Sequence, residues 1–182
     1  MKTLIFNGSP RKNGDTVSLI NKLTEVLNGE YKIINTYYSG ISPCIDCRYC
    51  WKNVGCSIND EMTDIYEYLI DCDNVVFATP IYFSQPTGKL LDVCSRFQMY
   101  YTAKQFQNNT PLIKQKKGAV ILVGGGDGKP DNAYETIKTI IKHINVTDVF
   151  RLTGSFNTNT LSAINDNNIL SEINEIAKFL NK

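Results

Sequence analysis

The sequence predicts one α/β unit: an open three-layer sandwich with a five-stranded parallel sheet of order 2-1-3-4-5 between two layers of helices. Three observations predict it. Short apolar, β-prone runs alternate with amphipathic stretches five times along the 182 residues. The runs are apolar without in-out alternation, as strands of a parallel sheet covered on both faces must be. No Pro/Ser-rich linker, repeat or low-complexity tract divides residues 1–182. Five strand–helix units joined by right-handed crossovers usually settle into that strand order.

The elements follow in order. Thr3–Asn7 (TLIFN) is the first strand and stops at Gly8. Val17, Ile20, Leu23 and Leu27 recur at helical spacing until Asn28-Gly29 ends the helix. Tyr31–Thr36 (YKIINT) is the second strand and leads into a cysteine-rich loop, residues 43–57. Asn59-Asp60 opens a helix that carries Met62, Ile65, Tyr66, Leu69 and Ile70 on one face. Asn74–Thr79 (NVVFAT) is the third strand, closed by Pro80, and a helix after Pro86 turns Leu90, Leu91, Cys94 and Phe97 inward.

Residues 98–117 are longer than a simple connection, and a lid or a subunit contact is expected there. Gly118–Val123 (GAVILV) is the fourth strand and ends in three glycines. Ala133, Ile137, Ile140, Ile141 and Ile144 define the next helix. It carries His143, the single histidine, which is expected to be structural or solvated rather than catalytic. Thr147–Leu152 is a weaker fifth strand, and Ile169, Ile173, Ile176 and Leu180 form the last helix.

Composition narrows the function. Nineteen Lys plus Arg against eighteen Asp plus Glu leave a net charge of +1. That balance argues against a nucleic-acid partner bound by a basic face and against an acidic carrier steered by charge. With 42% hydrophobic residues the chain is no disordered segment. A domain of this length buries roughly 70% of its unfolded surface, so it needs no disulfide or metal merely to fold. The start, MKTLIFNGSPRKNG, has only a short apolar run, so neither a signal peptide nor a membrane span is expected and the expected location is cytoplasmic. Six cysteines in that compartment are expected to be thiols or metal ligands rather than disulfides.

In an open parallel sheet, ligands bind outside the carboxyl ends of the strands, where the strand order reverses. With order 2-1-3-4-5 that crevice is built by the loops after strands 1, 3 and 4: Gly8–Thr16 (GSPRKNGDT), Pro80–Thr87 (PIYFSQPT) and Gly124–Lys129 (GGGDGK). The first has the composition of an anion site at a helix N-terminus. Gly8 and Gly14 let the backbone turn, Ser9 and Thr16 add hydroxyls, and Arg11 and Lys12 add positive charge. It is neither a P-loop, since Asp15 follows Gly14, nor a G-x-G-x-x-G fingerprint. A terminal phosphate monoester suits it; the plainer alternative is a polar turn with a helix cap. Tyr82 and Phe83 stand where rings pack on a planar ligand, or simply cover the core. Gly124 and Gly125 let bare backbone approach a flat ring. A phosphate cradle, aromatic residues and a glycine platform together match FMN.

These motifs resemble those of the NAD(P)H-dependent FMN reductase branch of the flavodoxin-like superfamily. GSPRKNGDT resembles the phosphate loop of that branch, PIYFSQPTGKLLD its second flavin loop and GGGDG its third, and the likeness runs from Met1 to about Leu180. The resemblance implies that Ser9, Arg11, Lys12, Asn13, Gly14 and Thr16 hold the phosphate. It implies that Pro80, Ile81, Tyr82 and Phe83 line the ribityl chain and ring, with Gly124 and Gly125 at the isoalloxazine. It further implies a homodimer or homotetramer with the flavin near a subunit interface. The reaction expected is hydride transfer from NAD(P)H to FMN, then electron release to a small-molecule acceptor such as a quinone or another flavin. No catalytic side chain is expected, because the cofactor carries the chemistry.

The cysteine segment adds an alternative. Cys44, Cys47, Cys50 and Cys56 follow the pattern C-x2-C-x2-C-x5-C, which places three thiolates on one side of a [4Fe–4S] cubane with a fourth nearby. Structural zinc usually takes two C-x2-C knuckles further apart. The pattern resembles the iron–sulfur flavoproteins of this same fold, which implies an electron carrier exchanging electrons with ferredoxin-like partners. Cluster-free reductases carry a similar segment before an acidic-Met helix start, here Asp60-Glu61-Met62. Free thiols under Tyr49 and Trp51, or thiol redox chemistry at Cys44 and Cys47, are the other readings. A flavin-binding regulator without turnover is a third class of function.

Overall fold

The last five residues of β1 (Lys2–Asn7) are all buried, the signature of a strand with neighbours at both edges and helices on both faces. The structure, a computed structural model, describes residues 1–107, 113–126 and 128–182. After β1 come α1 (Asp15–Thr24), β2 (Glu30–Asn35), α2 (Met62–Asp71) and β3 (Asn74–Tyr82). A two-residue strand β4 (Gln85–Pro86) precedes α3 (Gly88–Ser95) and α4 (Gln98–Phe106). The chain then forms β5 (Lys116–Val123), α5 (Asp131–Ile141), β6 (Val146–Val149), β7 (Thr153–Ser155) and α6 (Asn167–Leu180).

The sheet runs β2-β1-β3-β5-β6, all parallel, which is the expected order. Its fifth place is shared. β6 pairs with Lys116–Gly118 and β7 with Ile121–Val123, and the register shifts between Lys116 and Lys117. The single strand expected over Thr147–Leu152 is therefore two short ones. An edge strand has a ladder on one side only, so its middle is free to bend; here Arg151 leaves the sheet to pair with Glu172 and Glu175 of α6.

Alternate residues of each strand feed two cores. Leu4, Phe6, Val75 and Phe77 pack with α2, α3 and α5. Ile5, Val76, Ala78 and Ile121 pack with α1 and α6. Phe6 and Phe77 are partners in register and stack with centroids 4.7 Å apart, worth about 0.5–1.5 kcal/mol beyond their area. In α3 it is Val93, not Leu91, that is buried, and Phe97 is buried just past the helix end. β3 runs on through Pro80 to Tyr82, where it turns back to pair with β4.

His143 lies in one turn of 3-10 helix after α5, edge-on to Tyr101. Burial, with Lys104 and Lys142 adding to it, holds its pKa below the ordinary histidine value. The expectation for residues 98–117 falls on α4, on residues 108–112, which lie outside the described residues, and on the start of β5. Among the described residues, no helix is long and apolar enough to cross a membrane.

Candidate functional site

A cleft opens at the carboxyl ends of β1, β3 and β5, where the strand order reverses. Ser9, Pro10, Arg11, Gly14, Asp15 and Thr16 form its first wall; Pro80, Ile81 and Tyr82 form the second. Val123, Gly125, Thr158 and Asn159 form the third.

The first wall is shaped by short-range polar contacts. Asn7 ends β1 with its Oδ1 accepting the Ser9 N–H at 3.0 Å, and Ser9 Oγ accepts the Arg11 N–H at 3.1 Å. These side-chain turns bend the chain sharply before the helix. Gly8 is welded to β3: its N–H donates to Ala78 O and its carbonyl accepts from Thr87 Oγ1, both at 2.8 Å. A Cβ at Gly8 would stand 2.8 Å from Thr79 Oγ1, so only glycine lets the loop pass this close. Gly14 occupies the cap position of α1 and supplies no side-chain acceptor. The first-turn N–H groups of α1 thus have no side-chain cap, at the positive end of the helix dipole. Asp15 does not cancel that charge freely, because Ser162 Oγ and the Ala163 N–H both donate to it at 2.7 Å.

Of the residues expected to bind a flavin, Ser9, Arg11, Gly14, Thr16, Pro80, Ile81, Tyr82 and Gly125 line this one cleft. The other four stand elsewhere. Lys12 Nζ lies 5.0 Å over the Tyr38 ring, whose hydroxyl donates to Pro10 O, and it lines a separate groove beside β2. Asn13 is exposed. Phe83 is wholly exposed in a tight turn with Ser84, at φ of 51° and 61°. Gly124 is a strut: its N–H donates to Ser155 O at 2.8 Å and its carbonyl accepts from Thr158 N and Oγ1 at 3.0 Å.

Thr158 and Asn159 belong to the cleft and were not among the expected residues. The bond from the Asn159 N–H to Gly125 O, at 3.1 Å, seats this segment against the glycine loop. The signal was present in the run Asn157–Thr160, polar and hydrogen-bonding, immediately after the fifth strand at the same end of the sheet.

The four clustered cysteines line a second pocket, together with Trp51, Ile58, Arg96 and Met99. Positive φ at Asp46 and Arg48, of 50° and 60°, flanks Cys47 and turns the backbone tightly around it; such turns form concavities that suit anionic sulfur. The Ser57 hydroxyl at 3.1 Å, then the Tyr49 N–H, hold the Cys47 thiol below its ordinary pKa. Among the described residues, no three Cys, His, Asp or Glu side chains converge on a single metal ion. Beside the Asp46 carboxylate and the Ser57 hydroxyl, the metal-binding groups around the pocket are the four thiols, a set that suits an iron–sulfur cluster better than one hard cation. α4 covers this segment and not the cleft. Phe106 stacks on Trp51 at 4.2 Å, and Gln107 Nε2 donates to Cys50 O at 2.7 Å. Cys72 and Cys94 are buried elsewhere in the core; burial raises the Cys72 thiol to about 11 and Cys94 further.

Residues 1–160 match the family described as NADPH-dependent FMN reductase. The chain is 32% identical over 122 residues to an iron–sulfur flavoprotein of Archaeoglobus fulgidus, covering 66% of this chain and 60% of that protein. It is 31% identical over 142 residues to an iron–sulfur flavoprotein of Methanocaldococcus jannaschii, covering 75% and 69%. The fold superposes on an NAD(P)H:quinone oxidoreductase from Methanothermobacter marburgensis with a TM-score of 0.73 at 17% identity, over 100% of this chain and 96% of that one. With its strand order and a match over most of its length, this flavodoxin-like chain belongs to the NADPH-dependent FMN reductase family.

Proposed function

We propose that the protein is an FMN-dependent oxidoreductase that takes hydride from NAD(P)H and passes electrons to a small-molecule acceptor. The observation that carries this reading is the cleft at the switch point, with an uncapped helix start on one wall and a glycine loop on another. The residues present fit the group. The α1 N–H groups, with Ser9, Thr16 and Arg11, suit a phosphate monoester. Pro80, Ile81 and Tyr82 suit the ribityl chain and one ring edge, and Gly125 with Asn159 offers backbone and amide groups to the polar edge. When bound, FMN supplies the hydride acceptance and the electron release. The chain's part is to anchor the phosphate, exclude water where Ile81 and Val123 line the second and third walls, and leave one side open for the nicotinamide. No side-chain acid or base is needed. Lys12 and Asn13 act at the outer edge of the phosphate loop, and Phe83 and Gly124 act through the turn and strut they build.

The test is a visible spectrum of anaerobically purified protein, reconstituted with FMN, before and after NADPH or NADH. A flavin spectrum that bleaches within seconds supports the reading. A colourless protein that cannot be reconstituted with FMN overturns it.

The four thiols on one pocket favour a second reading in the same molecule. Here Cys44, Cys47, Cys50 and Cys56 hold a [4Fe–4S] cluster that trades electrons with the flavin and with a ferredoxin-like protein. Iron and sulfide analysis of anaerobic protein decides it, since near-zero metal with full activity excludes the cluster. We further read residues 1–182 as one functional unit that works as a homodimer or homotetramer in the cytoplasm. In that assembly, the described part of residues 98–117 serves as a lid or a subunit contact.

A further inference from the structure

Arg96, between α3 and α4, is 1% exposed. It closes the neck of the cysteine loop. Nη1 donates to Ser42 O at 2.9 Å and to Asp60 Oδ2 at 2.7 Å, and Nη2 donates to Ile58 O at 3.1 Å. Asp60 binds the same neck, accepting the Ser42 and Met62 N–H groups, each at 3.0 Å. Two of the three guanidinium nitrogens are therefore committed. The third, Nε, is buried with no partner among the described residues.

An orphaned buried donor costs about 1–3 kcal/mol, and more when it is charged. Native structures rarely retain one unless strain, a water, an ion, a ligand or a redox role accounts for it. Arg96 lines the pocket ringed by the four cysteines.

We propose that the Arg96 Nε–H is the donor to a sulfur of the iron–sulfur cluster in this pocket, and that Arg96 thereby raises the reduction potential of that cluster. This rests on the cysteine pocket taking the cluster. The cluster gains one negative charge on reduction, so a fixed donor and a buried cation favour the reduced form more than the oxidised one. Asp60 offsets part of that cation and limits the effect.

The experiment compares wild type, R96K, R96Q and D60N, each prepared anaerobically with FMN, by iron and sulfide content and by a redox titration followed by EPR. Wild type is expected to carry four iron and four sulfide per chain. R96K keeps a positive charge but lacks the Nε–H. Its reduction equilibrium is expected to fall at least tenfold, 59 mV for a one-electron couple. D60N keeps the Nε–H, loses the balancing charge and is expected to shift the opposite way. Loss of the cluster from both Arg96 variants but not from D60N also supports the assignment. Equal potentials in wild type and R96K, shifts of the same sign in R96K and D60N, or cluster loss in all three variants overturn it while the cluster stands. Absence of iron and sulfide from wild type overturns the cluster reading and this assignment with it.

Discussion

Replacing Asp60 by Asn isolates the buried ion pair that shuts the cysteine loop. The Arg96 side chain is fully buried and Asp60 is 11% exposed, with 2.7 Å between Nη1 and Oδ2. At that distance the attraction is about 6 kcal/mol for an effective dielectric of 20, but desolvation of both ions offsets much of it. Removing one member of a buried pair costs about 3–5 kcal/mol, because the other charge is left uncompensated. Asn keeps one oxygen as an acceptor, so the low end applies, about 3 kcal/mol. For a domain of this length that lowers Tm by about 6–12 °C. Urea unfolding followed by circular dichroism should show a lower midpoint at unchanged slope.

The pH dependence gives a second check on the same residue. Burial opposes ionisation of Asp60, but the Arg96 hydrogen bond and the Ser42 and Met62 N–H groups hold its pKa below 3.8. A depressed carboxylate contributes stability above its unfolded pKa and loses it as the pH falls through the folded one. The gap between wild type and D60N should therefore be full at neutral pH and narrow in the acid range below about 4. A loss under about 1 kcal/mol at pH 7, or a gap that stays constant on acidification, would refute the reasoning.

Arg11→Ala removes an exposed cation from the cleft wall and should weaken FMN binding about tenfold in a fluorescence titration, with the Tm of the flavin-free protein unchanged. Gly8→Ala places a methyl group 2.8 Å from Thr79 Oγ1 and 3.1 Å from Leu90 Cδ2, and thermal unfolding should show a cost of about 1–3 kcal/mol. Phe83→Asn relieves a bulky residue held at φ 51° with nothing buried; it should raise stability by up to about 1 kcal/mol. In metal-free native protein, an Ellman titration should count the four thiols of the cysteine loop. Cys72 and Cys94 should react only after denaturation, since burial keeps both protonated and covered.

The sheet was legible because continuous apolar runs such as Leu4–Phe6 and Ala119–Val123 have no other stable use than buried strands. The Gly8–Thr16 loop was legible as a wall of the cleft because glycine, hydroxyl and cation crowd one strand-to-helix junction. What escaped depends on long-range placement. Nothing local tells that Lys12 lies over the Tyr38 ring while Arg11, its neighbour in the same loop, lines the cleft. The turn at Phe83-Ser84 uses left-handed backbone without Gly or Asn, so it carries no turn signal. In α4 the polar residues of the sequence hide the buried side, Tyr100, Thr102 and Ala103, so its packing was not legible. Arg96 gave a trace only: a cation set among Val93, Cys94 and Phe97 needs a buried partner, but nothing local says that the partner is Asp60, 36 residues earlier.

The neck held by Arg96 has a kinetic consequence. The loop over residues 43–57 owes its shape to contacts at its two ends and along one side, from Ser95, Thr102 and Gln107, and none of the sheet's strands lies within it. Breaking the neck therefore frees the loop without disturbing β1, β3 or β5, a local opening far cheaper than global unfolding. Its amides should exchange with solvent long before those of the sheet. Under the cluster reading, opening of that closed neck in the folded protein would let loading follow folding rather than direct it.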